Sequence, residues 1–119
     1  MKNYLFLPAL FFCSVLMGQS NDPQASSEKV IVDNDKMKVV EFVSSPHDGV
    51  CGEGMHHHEP HLTVVLTDAK VQVTTEDGEA QDLEVKSGTS IWFESETHSV
   101  INIGDEPAKM LLVYLKEQP

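Results

Sequence analysis

LTVVLTDAKVQVTTEDGEAQDLEV, residues 62–85, alternates β-branched and polar residues and is broken at Asp68 and again at Asp77-Gly78. Val71, Val73 and Thr75 alternate with Lys70, Gln72 and Thr74, the period of a strand with one face toward water. Asp-Gly between two such runs is a two-residue hairpin signal, so 70–75 should turn back onto 81–85. The same grammar recurs on both sides. KVIV at 29–32 meets Asp33, Asn34 and Asp35, and MKVVEFV at 37–43 meets Ser44, Ser45 and Pro46. Downstream, QDLEV at 81–85 meets Ser87-Gly88, SIWF at 90–93 meets a charged patch, HSVINI at 98–103 meets Gly104-Asp105, and MLLVYL at 110–115 follows. Turn residues every eight to twelve positions imply a sandwich or barrel. No stretch after residue 20 carries a 3.6-residue period, so the fold class is all-β, with eight strands expected.

The N-terminal residues obey different rules. Met1 and Lys2 precede YLFLPALFFCSVLMG at 4–18, and small or polar residues follow. A basic start and a short apolar run ending in small residues describe a signal peptide over 1–20, with Gly18 and Ser20 placed for cleavage after Ser20. The run is shorter than the ~20 residues of a membrane-spanning helix, so stable membrane insertion is not expected. Residues 21–35 are expected to be a flexible lead-in with room for an edge strand, and 36–119 the β-barrel domain. The protein is expected to be exported, to a periplasm or beyond. If Cys13 leaves with the signal, Cys51 is the only thiol and no internal disulfide can form.

The formal charge is −11, arginine is absent, and the eight lysines are dispersed. A phosphate-binding face needs clustered positive charge, so nucleic acid is not an expected partner. Without arginine the chain also lacks the usual bidentate clamp for an anionic cosubstrate.

CGEGMHHHEPHLTVVLTD at 51–68 holds four of the six histidines. In an extended segment His56 and His58 point one way and His57 the other. His61 joins the first pair if the chain bends once, and Glu59-Pro60 supplies a bend. His98 begins a distant strand. An H-x-H pair, a third imidazole nearby and a fourth from across the fold can enclose a metal, so His56, His58, His61 and His98 are the candidate ligands, with Glu59 or His57 as substitutes for the third. An exposed histidine loop is the competing reading of the triplet. Imidazole suits divalent zinc, copper, iron, nickel or manganese without choosing among them. Free imidazole titrates near 6.5, so such a site is expected to release metal as pH falls from about 7 to 5. Cys51 reads as a half-buried loop residue, or as a thiol able to ligate a soft metal, react with a substrate or pair with another chain. His47 reads as a surface residue. Trp92 and Phe93 read as packing residues on opposite faces of one strand.

These motifs resemble the cupins, small β-barrels with the patterns G-x5-H-x-H-x3-4-E-x6-G and G-x5-P-x-G-x2-H-x3-N. MHHHEPHLTVVLTDAKV looks like the first, with His61 in the place of the acid. GTSIWFESETHSVIN looks like the second, from Gly88 to His98 and Asn102, without its proline and internal glycine and with Glu94 and Glu96 nearby. The resemblance covers roughly 37–116. It implies a double-stranded β-helix barrel holding a metal and a small-molecule ligand, with a homodimer as one assembly. The activity it implies ranges from dioxygenase- or isomerase-like enzymes to non-catalytic binding modules. No catalytic residue is assigned at this level.

Overall fold

The computed structural model describes residues 25–117, so the expected signal peptide lies outside the described residues. These residues form nine strands and no helix. They are β1 (Ser27–Asp33), β2 (Met37–Ser44), β3 (His56–His58), β4 (His61–Val65), β5 (Ala69–Thr75), β6 (Ala80–Val85), β7 (Ser90–Phe93), β8 (Glu96–Asn102) and β9 (Ala108–Leu115). Five make one sheet in the order β1-β2-β9-β4-β7, and four make a second in the order β3-β8-β5-β6. All pairings are antiparallel. From β2 onward the chain passes repeatedly between sheets, so residues close in sequence face each other across the core.

The runs read from alternation are all strands, and the hairpin is where Asp77-Gly78 put it. Gly78 takes a φ of 90°, which glycine adopts without a Cβ penalty, and its amide donates to the Thr75 carbonyl. The strand beyond the expected eight is the histidine triplet itself. β3 exists because His56, His57 and His58 pair with His98, Thr97 and Glu96 of β8, a tertiary pairing that overrides the loop-like local sequence. For the same reason β8 starts at Glu96 rather than His98. Ser27, expected in the lead-in, opens β1, a sheet edge exposed along its whole length.

Between the sheets Val40, Phe42, Val50, Cys51, Val71, Val100, Met110 and Leu112 form one buried cluster. Along β9 the inward residues are Ala108, Met110 and Leu112, and the same face continues to Tyr114. Asn102, fully buried, ties the end of β8 down: its Nδ2 donates to the carbonyls of Ser44 and Glu106, and its Oδ1 accepts from the Gly104 amide. The asparagine of the H-x3-N motif is therefore a structural pin. Fixing the end of β8 fixes the strand that carries His98.

Candidate metal centre

The β3–β8 register sets His56 directly opposite His98. His58 lies two residues on and on the same face, buried like His98. His57 points outward with 53% of its side chain exposed, and its Nε2 lies 3.3 Å from Oε1 of Glu59, which is 76% exposed. His57 also meets Thr97 Oγ1 at 2.9 Å. Both substitutes for the third ligand thus face solvent. At Glu59-Pro60 the chain crosses to the other sheet, where His61 opens β4, 2% exposed. Its ring stacks on Phe93 at 5.6 Å and lies 5.3 Å from the Tyr114 ring and 5.0 Å from that of His58.

Cys51 comes from the loop before β3. It holds a left-handed φ of 56°, uncommon outside glycine, and is buried. The backbone at Gly52 runs so near His56 that a Cβ there would sit 2.8 Å from the imidazole ring. Only glycine lets the loop close this far. The closure brings the Cys51 Sγ to 3.5 Å from His56 Nε2 and 3.8 Å from His98 Nε2. Among the described residues, Cys51, His56, His58 and His98 each offer one donor atom, and all four atoms lie within 4.8 Å of one another. Three of the four sequence candidates belong to this set. His61 stands beside it, against His58, and Cys51 is in it.

The outer ring nitrogens are spoken for. His56 Nδ1 donates to the Gly54 carbonyl at 2.9 Å and His61 Nδ1 to the Glu59 carbonyl at 2.8 Å. A carbonyl only accepts, so in both rings Nδ1 holds the proton and Nε2 is a lone pair. His58 Nδ1 meets the Tyr114 hydroxyl at 2.8 Å, and His98 Nδ1 faces Glu96 Oε1 at 3.5 Å. Outer partners that fix ring orientation and tautomer are the usual support of a histidine metal ligand. His58 Nε2 is buried with no hydrogen-bond partner. Leaving a buried polar atom unpaired costs about 1–3 kcal/mol, and with the His58 proton on Nδ1, donated to the Tyr114 oxygen, a cation at the Nε2 lone pair removes that cost. The residues present fit a metal.

Electrostatics agree with a neutral donor set. Burial, then the nearby imidazoles His56 and His61, pushes His58 and His98 down to about 4. Burial, then the Glu96 charge, pushes the Cys51 thiol up to about 12, and burial raises Tyr114 to about 12. Glu96 is raised by burial against the opposing pull of His61 and His56.

Beside the donors lies a cavity of about 170 Å³ between the sheets. Cys51, His61, Glu96 and His98 line it together with apolar side chains, including Val71, Phe93 and Met110. Leu83 of β6 and Ile91 of β7 also line it, and both are partly exposed. Their strands are the free edges of the two sheets, so the cavity reaches solvent between them. Trp92 packs in neither core nor cavity. It is 48% exposed, and its Nε1 donates to Glu94.

Sequence reasoning left Tyr114 out, gave Glu96 no role, and offered metal ligation by Cys51 only as one of several readings. Tyr114 carries a faint signal, a polar tip continuing the buried Met110–Leu112 face of an apolar strand. Cys51 has none beyond its chemistry, because its approach depends on the loop.

The pattern of the Cupin domain family matches residues 42–114. Among solved structures, the chain is similar to a cupin domain from Bordetella pertussis Tohama I, at 23% identity and a TM-score of 0.69 over 81% of this chain and 98% of that one. It is also similar to an RmlC-like cupin with a double-stranded β-helix fold from Methanocaldococcus jannaschii, at 16% identity and a TM-score of 0.58 over 81% and 84%. A third is the polyketide cyclase of Streptomyces resistomycificus, at 21% identity and a TM-score of 0.60 over 83% and 72%. Comparison with curated proteins found no match. With the family pattern spanning β2 to β9 and both sheets closing over the imidazole cluster, the chain belongs to the cupin family.

Proposed function

We propose that this cupin holds one divalent transition metal at His56, His58 and His98 and binds a small, uncharged organic molecule in the adjoining cavity. The unpartnered, buried Nε2 of His58 carries the metal reading. The cavity carries the ligand reading. An apolar cavity of about 150 Å³ is enough for benzene, so one of about 170 Å³ suits a molecule of similar size. Among the described residues no lysine lines it, which disfavours an anionic ligand. The apolar wall would hold the ligand's body and exclude water, leaving its polar end toward His98 and Cys51. A bound metal would polarise that end or activate water.

Whether the ligand is transformed turns on Glu96. Among the described residues it is the only carboxylate lining the cavity, and it stands beside His98, where a carboxylate can exchange a proton with a ligand held in the cavity. That favours an enzyme over a passive binder as the second step of the reading. The fold also hosts a polyketide cyclase. Export is part of the same proposal and rests on residues 1–20, and a secreted product beginning near Asn21 would support it.

Metal analysis of protein prepared without a histidine tag, followed by incubation with phenols and diketones, tests the reading. A metal:protein ratio near one is expected, with turnover that disappears on chelation. A ratio near zero would leave an unmetallated barrel. Binding of the probes without turnover would leave the non-catalytic module.

A further inference from the structure

We propose that Cys51 is the fourth protein ligand of the metal centre, binding as a thiolate, so that the site is His3Cys and selects zinc, cobalt or another thiophilic ion over manganese and magnesium. This rests on the metal-centre reading above and goes beyond it in ligand set and metal class; a ligand or water would then reach the metal by expansion to five-coordination.

The distances carry it first. Zinc–nitrogen bonds of about 2.0–2.1 Å and a zinc–sulfur bond of about 2.3 Å at a tetrahedral angle set an N···S edge of about 3.6 Å. A right-angled octahedral edge from the same bonds is about 3.1 Å. The Sγ–Nε2 separations to His56 and His98 are 3.5 and 3.8 Å, on the tetrahedral side. The four donor atoms lie within 4.8 Å of one another, so closing of the longer pairs brings them onto one small cation.

Proton accounting carries it second. A thiol has one proton to donate. His56 presents a lone pair at Nε2, since its Nδ1 proton goes to the Gly54 carbonyl. His98 turns its Nδ1 toward Glu96 Oε1 at 3.5 Å, an ion-pair contact that favours the proton at Nδ1 and a lone pair at Nε2. One S–H can serve only one of these two, and His58 Nε2 has no partner at all. Hydrogen bonding within the cluster therefore leaves inner donor atoms unserved in a buried space. A single cation satisfies all of them.

The acids are third. Glu59 faces solvent beside His57, and Glu96 sits at the outer nitrogen of His98 instead of among the inner donors. With no carboxylate in the set and a sulfur in it, the site favours softer ions over those that prefer oxygen. On binding, the Cys51 S–H bond breaks, its proton passes to solvent, and sulfur donates an electron pair to the metal. No electron is transferred.

Cobalt(II) reports the bond directly. The protein should be prepared with Cys13→Ser, so that Cys51 is its single thiol, and titrated with cobalt(II). One cobalt per chain is expected, with tetrahedral d–d bands and a near-ultraviolet thiolate-to-cobalt charge-transfer band. Cys51→Ser should still bind cobalt but lose that band. Its zinc affinity should fall at least 100-fold, more than the 10–100-fold typical of losing an outer-shell partner, while manganese affinity changes less than about threefold. Cys51→Ala is the second variant, expected to lose the band in the same way. One cobalt per chain with no charge-transfer band would overturn the thiolate and leave the imidazole centre standing. A band that persists in Cys51→Ser would also overturn it. No cobalt bound at all would overturn both readings. The first outcome needs no substitution at Cys51, so a misfolded site variant cannot shield the proposal.

Discussion

His98→Ala is expected to lower metal affinity more than 100-fold and to erase the stabilisation that metal gives the wild-type protein. His98 is forty residues from the triplet, yet the β3–β8 register sets it opposite His56 with its Nε2 among the inner donors. A metal at 100 times its Kd adds about 2.7 kcal/mol to folding stability. In a domain of this size that raises Tm by roughly 10–20 °C. Comparing metal-loaded with metal-free Tm inside each variant removes whatever the substitution costs the apo fold. His58→Ala should match His98→Ala, because it deletes the unpartnered nitrogen. His57→Ala should leave affinity within about twofold, since that ring faces solvent against Glu59. His61→Ala should cost less than either inner substitution, because His61 packs between Phe93 and Tyr114 beside the donor set. If His57→Ala and His98→Ala were equally harmful, the metal would be held by a surface histidine cluster.

The contrast between His57 and His58 was legible before any coordinates, because alternation along an extended segment is a local property. So, β3 excepted, were the strands from Met37 to Leu115, whose β-branched alternation survives into burial patterns such as that of β9. The boundary of β8 was not legible. Glu96 and Thr97 look like turn residues, and only pairing with His58 and His57 makes them strand. Cys51 shows the same limit more sharply. Its place among the donors depends on a left-handed φ, on a glycine that tolerates the His56 ring, and on the path of a loop between two sheets. None of these has a periodicity to read. For the third ligand the sequence offers His61, with Glu59 or His57 as substitutes, all beside the H-x-H pair. The fold carries His61 to the opposite sheet and brings Cys51 in from the other side.

The pH behaviour of the metal-free protein should be equally decisive. An unfolded histidine titrates near 6.5, whereas burial and neighbouring imidazoles hold folded His58 and His98 at about 4. Both rings are bases whose folded pKa is depressed, so between these values the unfolded chain binds more protons than the folded one. Stability therefore rises with pH across that window. The contribution is fully present above about 6.5 and is lost as pH falls toward 4. Two such groups give a slope of up to about 2.7 kcal/mol per pH unit in mid-window, enough to threaten a fold with only about 5–15 kcal/mol in hand. The depressed values also move metal release below the range of 7 to 5 expected for free imidazole, because His58 and His98 stay neutral while the fold persists. Thermal melts of the apo protein from pH 7.5 to 4.5 should show Tm falling steadily below about 6.5. In the metal-loaded protein the fall should begin lower, and occupancy should collapse together with the fold. His58→Gln, which removes one titrating ring, should flatten the apo slope by about half. An apo Tm that stayed level down to pH 5 would mean that these imidazoles take up protons as readily in the folded state as in the unfolded chain, and the depression by burial would then be ruled out.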